Sequence, residues 1–213
     1  MFKNLQGFLE STMGQIMVIV VIALFFIIIL IPGKESKTKK ADVKALTISA
    51  LMIALSLGLN QIILFRMPQG GSITLLSMLP IALCSYLLGT RRGVIAGMCL
   101  GLLDLIFNPY VIHPIQLLVD YPFAFGALGI GGALRNQKNG LSKVYLFGLL
   151  GRYTCAVISG IVFFGAYAPE GFNAVTWSLW YNLTYLAVEG TITIIIISLP
   201  PVKNMLEGLK NQL

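Results

Sequence analysis

The sequence predicts an all-α membrane protein, and three observations support this class. Of the 213 residues, 57% are hydrophobic and only 11% are charged, which is far too apolar for a soluble domain of this length. The apolar residues form long runs, each about the length of a helix that crosses a hydrocarbon core of about 30 Å. The basic residues lie between alternate runs, as they do in the cytoplasmic loops of membrane proteins.

Seven apolar runs predict seven membrane-spanning helices. The first run is long for the apolar part of a signal peptide, and no small-residue cleavage site follows it, so we expect an uncleaved N-terminal helix. The seven runs cover residues 15–32, 43–65, 73–89, 93–108, 114–134, 144–167 and 177–200.

The basic residues predict the orientation of the chain. With seven crossings, twelve of the fifteen Lys and Arg residues fall on one side, which the positive-inside rule makes the cytoplasmic side of a bacterial cell membrane. The N-terminus is then outside and the C-terminus cytoplasmic. The outer side carries the connections 66–72, 108–114 and 167–174, which are rich in turn residues. Because the net charge of +7 is divided among loops, it does not indicate nucleic-acid binding.

Two stripes of small residues predict close helix contacts. Glycines at every fourth position from 89 to 101 form one face along which another helix of the protein can pack. Ala50, Ala54 and Gly58 form a second stripe, which suits either packing within the fold or contact with a partner subunit.

Charged residues within apolar runs are costly, so each requires a partner or a function. Arg152 and Glu189 lie at similar depths in neighbouring runs, and we expect a structural ion pair between them. Asp120 has no protein cation at its depth, whereas Gln116 lies one helical turn before it. Asp120 is therefore either a protonated or locally hydrogen-bonded acid, or the counter-ion of a cationic ligand.

An aromatic stripe occupies the outer end of the last run. Trp177, Tyr181 and Tyr185 recur at helical spacing, and Asn182 lies beside them. Such residues form interfacial belts in many membrane proteins. Together with a nearby carboxylate, they also suit a flat organic cation, because cation–π attraction contributes about 1–2 kcal/mol per desolvated ring.

The residues exclude most catalytic chemistry. The only histidine is His113, and the three cysteines are isolated in apolar surroundings, so neither a metal site nor a disulfide framework is expected. The sequence has no phosphate-binding loop and no hydrolase elbow. We therefore expect neither an enzyme nor a cofactor.

Five segments resemble the thiamine-specific S components of energy-coupling-factor (ECF) transporters, the ThiT/YuaJ family. They are MPQGGSIT, LLGTRRGVIAG, HPIQLLVDYPFAFGALGIGG, RYTCAVISGIVFFGAYAPEG and WSLWYNLTY, and the resemblance covers about residues 42–200. It implies a six-helix core at 42–202 that binds thiamine near the outer face. Residues 1–41 are then an extra N-terminal transmembrane helix with a basic linker, and 203–213 a short cytoplasmic tail.

The resemblance also implies partners and site residues. An S component works with a transmembrane coupling protein and two ATP-binding subunits, and the stripe of Ala50, Ala54 and Gly58 corresponds to the partner interface. The loop Gln69, Gly70, Gly71 and Ser72 corresponds to a lid. By motif, or by the position of the residues on the helices, the substrate-binding residues are Tyr110, Gln116, Asp120, Tyr121, Phe164, Trp177, Tyr181, Asn182 and Tyr185.

Two departures from the family pattern leave the ligand open. Ala156 stands where the family often has histidine, and Trp177 stands where tyrosine can occur. The ligand is then thiamine, one of its phosphates or its pyrimidine precursor. Asp120 can contact either the thiazolium or the aminopyrimidine ring, and both alternatives stay open. Two other functions stay open: a solitary proton-coupled carrier that uses Asp120 and Glu189, and a structural membrane protein without a ligand.

Overall fold

Each of the seven predicted spans contains a helix in the computed structural model, which describes residues 11–30 and 39–212. The basic linker residues Lys34 and Lys37 and the last two residues of the first run lie outside the described residues. The helices are α1 (Thr12–Leu30), α2 (Lys39–Asn60), α3 (Leu79–Leu88), α4 (Thr90–Phe107), α5 (Pro114–Leu134), α6 (Gly140–Phe163), α7 (Ala174–Ser198) and α8 (Pro200–Asn211).

The helices have the character of membrane spans. Within the described residues, α5, α6, α7 and the Val43–Asn60 part of α2 are long and apolar enough to cross a bilayer. Helix α1 is also apolar and lies against α4 and α5 through buried Ile22. The all-α membrane class and the extra N-terminal helix are therefore confirmed.

A short β-hairpin replaces helix at the ends of two predicted spans. Strands β1 (Ile63–Arg66) and β2 (Ser72–Thr74) pair antiparallel, with Ile63 opposite Thr74 and Arg66 opposite Ser72. The prediction that residues 43–65 and 73–89 are helical throughout is thus wrong. Helix α3 has ten residues and is about 15 Å long, which is only half of a hydrocarbon core.

The glycine stripe lets α4 and α5 meet backbone to backbone. A side chain at Gly97 would overlap the carbonyl of Phe125, and one at Gly101 would overlap the carbonyl of Tyr121. This confirms the predicted packing within the fold. Helix α5 is itself irregular, because Val119–Phe123 forms a π-helical turn around Pro122, whose nitrogen has no hydrogen to donate.

Basic residues from three predicted cytoplasmic segments lie together at one end of the molecule. Lys210 Nζ on α8 donates to the carbonyl of Arg135 at 2.6 Å, and Lys203 Nζ donates to Asn139 Oδ1 at 3.0 Å. Lys44 Nζ on α2 donates to the carbonyl of Gln212 at 3.1 Å. The hairpin lies at the opposite end, where it meets the connections 108–114 and 167–174.

Candidate ligand-binding site

A cavity of about 610 Å³ lies beneath the hairpin, between α4, α5, α6 and α7. Its volume is in the range of small-molecule sites. All nine residues predicted to bind substrate line it, together with the four predicted lid residues. They are Tyr110, Gln116, Asp120, Tyr121, Phe164, Trp177, Tyr181, Asn182 and Tyr185, with Gln69, Gly70, Gly71 and Ser72 above them.

One wall carries the Asp120 carboxylate. Asp120 lies in the π-helical turn of α5, and Gln116 Nε2 donates to its Oδ2 at 2.6 Å. The same amide nitrogen is 3.1 Å from the carbonyl of Tyr110, and Gln116 Oε1 accepts from the Ile112 nitrogen at 3.2 Å. Gln116 therefore holds both the carboxylate and the loop that carries Tyr110.

Tyr121 also holds the loop that carries Tyr110. Its hydroxyl donates to the carbonyl of Asn108 at 2.8 Å and accepts from the Tyr110 nitrogen at 2.7 Å. With Gln116, it fixes the 108–112 loop against α5. Tyr121 thus positions Tyr110 as well as lining the cavity.

Aromatic rings form the other walls. Tyr110 and Phe164 are nearly parallel, with centroids 6.0 Å apart and planes 15° apart. On α7, the rings of Trp177 and Tyr181 are 5.7 Å apart, and those of Tyr181 and Tyr185 are 5.8 Å apart. The predicted stripe therefore faces the cavity. Trp180, which the helical spacing places off this stripe, is 57% exposed.

Asn182 joins α6 to α7 at the base of this aromatic wall. Its Nδ2 donates to the carbonyls of Ala156 at 3.2 Å and Ser178 at 2.9 Å, and its Oδ1 accepts from Tyr185 Oη at 2.9 Å. A side chain at Gly160 would overlap Ser178 Oγ, so this glycine is needed for the close approach of the two helices. Asn182 thereby holds Tyr185 against the cavity.

The hairpin closes one end of the cavity. Tyr181 Oη accepts from the Gly71 nitrogen at 3.0 Å and donates to the carbonyl of Pro68. Trp177 Nε1 donates to Gln69 Oε1 at 3.3 Å. Gly70 has a φ of +88° and lies directly against the Tyr110 ring, so a larger residue there would be strained and would also collide with the ring.

The expected ion pair between Arg152 and Glu189 is not formed. Glu189 instead accepts from Thr74 N at 3.2 Å, Thr74 Oγ1 at 2.7 Å and Ser77 Oγ at 3.0 Å, which anchors the base of the hairpin to α7. Arg152 makes no salt bridge within the described part of the chain, and its guanidinium carbon lies 3.8 Å from the Phe125 ring centroid. Matching depths did not fix the directions in which the two side chains point.

Besides Arg66, which is exposed at the hairpin, two charged residues line the cavity without having been predicted as binding residues. Asp104 is 8% exposed, and its Oδ1 accepts from Asn60 Nδ2 at 2.6 Å and Asn108 Nδ2 at 2.9 Å. Arg152 lines the floor on α6. Both were recognisable in the sequence as charges within apolar runs, but only the fold shows that they share a cavity with Asp120.

The predicted partner stripe lies outside this site. Ala50, Ala54 and Gly58 are all exposed on α2, and a carbon added at Gly58 would meet no atom within 4 Å. Among the residues that the structure describes, none therefore packs closely over this stripe.

Comparison with known proteins identifies the family. The profile described as Thiamine transporter protein (Thia_YuaJ) matches residues 46–207. This chain belongs to that family. Its matched part begins within α2, so α1 precedes it. Because the family is one of transporters, the prediction that the chain is not an enzyme is confirmed.

Individual relatives agree with this assignment. The chain is 36% identical over 172 residues to the thiamine transporter ThiT of Bacillus subtilis (strain 168). These aligned residues are 74% of this chain and 87% of that protein. It is 32% identical over 141 residues to ThiT of Lacticaseibacillus paracasei, covering 56% and 68%. The structure of ThiT from Listeria monocytogenes matches with a TM-score of 0.63 at 26% identity, over 76% of this chain and 97% of that one.

Proposed function

We propose that this protein is the thiamine-binding membrane subunit, or S component, of an ECF transporter. The observation that carries the proposal is the single cavity that combines the Asp120 carboxylate with the rings of Tyr110, Phe164, Trp177 and Tyr181. Thiamine carries a fixed positive charge on its thiazolium ring and a flat aminopyrimidine. A carboxylate and aromatic faces are the groups that bind such a cation.

The proposed orientation places the cavity on the outer side of the membrane. The hairpin end lies opposite the basic cluster of Lys44, Lys203 and Lys210, and cytoplasmic ends are the ones enriched in Lys and Arg. Thiamine would enter from outside beneath the hairpin. The N-terminus would then be outside and the C-terminus cytoplasmic.

The proposed partners are a transmembrane coupling protein and two ATP-binding subunits. The exposed small residues Ala50, Ala54 and Gly58 on α2 support this, because a smooth helix face lets a second backbone approach closely in a bilayer. The sequence has no phosphate-binding loop, so ATP hydrolysis would be supplied by those subunits.

A calorimetric titration of thiamine into the purified full-length protein tests the binding function. We expect saturable binding with one thiamine per chain. No heat and no tryptophan quenching with thiamine, its phosphates or its pyrimidine precursor would contradict the proposal and favour a structural role.

Uptake assays test the partnership. We expect cells that express this protein to take up thiamine only when the coupling protein and the ATP-binding subunits are also present. Uptake by this protein alone that collapses with the proton gradient would instead support a solitary proton-coupled carrier.

A further inference from the structure

We infer that the N-terminal helix α1 supports the binding site: it packs against α5 and positions the Asp120 carboxylate for the ligand. The inference rests on the proposed function and deepens it. Helix α1 precedes residues 46–207, which match the family, so membership of the family gives this helix no role. Its contacts within this chain indicate one.

Helix α1 lies against the part of α5 that carries the carboxylate. It contacts residues 114–118 and 119–123 of α5, and it also contacts α4. Ile22 of α1 takes part in this packing, because it is 9% exposed and belongs to one buried cluster with Val94 of α4 and Val119 of α5. Helix α1 is therefore packed on the bundle at the level of the π-helical turn.

Two neighbouring faces of α5 link this contact to the cavity. Ile115, Val119 and Phe123 recur at every fourth position, and all three belong to or pack against the cluster that includes α1. Gln116 and Asp120 each follow a member of this stripe by one residue, which places them about 100° further around the helix. Both line the cavity, where they are hydrogen-bonded to each other. A rotation of α5 that changes one face therefore moves the other.

The backbone of α5 is irregular at the level of the carboxylate. Residues 119–123 form a π-helical turn, and Pro122 within it has no N–H to donate. Because fewer regular helical hydrogen bonds fix this turn, packing from neighbouring helices contributes more to its position. Gly101 of α4 lies against the carbonyl of Tyr121 on one side. Helix α1 packs against the same turn and supplies a second contact.

The physical effect of α1 is one of packing. In a bilayer, lipid chains are as apolar as isoleucine, so the Ile22 side chain stabilises its contact through van der Waals packing rather than through the hydrophobic effect. Truncating that side chain leaves a space into which α5 can shift or rotate. Asp120 then occupies its binding position for a smaller fraction of the time, and the apparent affinity falls with that fraction.

Titration of thiamine into purified full-length Ile22→Ala protein tests this role. We expect Kd to rise about 3- to 10-fold, as it does when the binding-competent fraction falls to about a third to a tenth. Ile22→Val keeps most of the side chain and should restore most of the affinity. Leu24→Ala is the matched control, because Leu24 is 53% exposed on the same helix, and it should leave Kd unchanged.

Two measurements separate positioning from a general loss of stability. In a double-mutant cycle, Ile22→Ala should weaken thiamine binding by Asp120→Asn protein little further, because the carboxylate that α1 positions is already absent. Hydrogen exchange followed by mass spectrometry should be faster in residues 114–123 of ligand-free Ile22→Ala protein than in wild type, and unchanged in α7. If Ile22→Ala protein does not fold, the same measurements on Ile22→Val should show smaller changes in the same direction.

Several results would overturn the inference. An unchanged Kd for folded Ile22→Ala protein would do so, and an equal loss for Leu24→Ala would show that α1 acts only as a membrane anchor. Additive losses in the cycle would show that α1 does not act through Asp120. Wild-type protein that binds no thiamine would remove the proposed function and with it this inference, whereas tight wild-type binding that Ile22→Ala leaves unchanged would remove the inference alone.

Discussion

Replacing Asp120 by asparagine removes a charge from the cavity with little change in shape. The asparagine retains an amide oxygen that can accept from Gln116 Nε2, which is 2.6 Å from Asp120 Oδ2 in the native protein. The local structure of α5 should therefore persist. The variant tests whether the carboxylate acts as a counter-ion for thiamine.

The expected magnitude follows from Coulomb's law. Two unit charges 4 Å apart attract by about 4 kcal/mol at an effective dielectric constant of about 20, and by about 1 kcal/mol in bulk water. The cavity lies between these limits, because it is enclosed by helices and the hairpin but opens toward water. Arg152 and the desolvation of thiamine both reduce the net gain. We therefore expect affinity to fall by at least about 1.4 kcal/mol, or tenfold in Kd.

Tryptophan fluorescence gives a direct assay. The protein has two tryptophans, of which Trp177 lines the cavity and Trp180 is 57% exposed on the outside of α7. In a Trp180→Phe background, the emission reports on the cavity alone. Titration of thiamine into this background, with and without Asp120→Asn, yields the two dissociation constants.

Glu170→Gln provides a matched control. Glu170 is exposed in the connection between α6 and α7 and does not line the cavity, so the same loss of charge there should leave Kd unchanged. If folded Asp120→Asn protein binds thiamine as tightly as wild type, the counter-ion role is refuted. If Glu170→Gln weakens binding equally, the effect arises from overall charge rather than from the site.

Three further predictions concern the lid, the helix packing and the partner surface. Tyr181→Phe removes the hydroxyl that accepts from the Gly71 nitrogen, so thiamine should dissociate about tenfold faster in stopped-flow measurements; an unchanged rate would mean that this contact does not hold the lid. Gly97→Ala should lower the Tm of the detergent-solubilised protein, because the added methyl overlaps α5, whereas Gly58→Ala should not; equal Tm values would contradict the close packing. Ala54→Leu should preserve thiamine affinity but reduce co-purification with the coupling protein, and loss of thiamine binding would contradict a role confined to the partner surface.

The sequence alone was sufficient to select cavity-lining residues where a charge is energetically unfavourable or where side chains repeat at helical spacing. A carboxylate within an apolar run, such as Asp120, has few stable environments, so its presence indicates a partner or a function. Trp177, Tyr181 and Tyr185 repeat at helical spacing, which fixes them on one face before the fold is known. The resemblance to a family added Tyr110 and Phe164, which lie in or next to connecting segments and have no such periodicity.

The residues that the sequence did not place depend on contacts distant in the chain. Glu189 is bound by Thr74, 115 positions earlier, and no local pattern predicts that partner. The apolar residues 63–65 of β1 were predicted as the end of a helix, because hydropathy does not distinguish a short strand from a helical turn. Because Thr74 and Ser77, at the base of the hairpin, donate hydrogen bonds to Glu189, this carboxylate does not pair with Arg152, which lines the cavity instead. The error in the ion pair and the error in the hairpin therefore have one cause.

The proposed lid and the proposed binding wall share side chains, so we expect ligand binding and lid closure to be coupled. Trp177 and Tyr181 both line the cavity and bond the hairpin, through Gln69 and Gly71. A ligand that packs against these two rings orders the same side chains that hold the lid shut. By thermodynamic linkage, we expect closure to raise thiamine affinity by the same factor by which thiamine raises the equilibrium constant for closure. We therefore expect a lid substitution that makes no contact with thiamine to weaken binding in proportion to the fraction of closed protein that is lost.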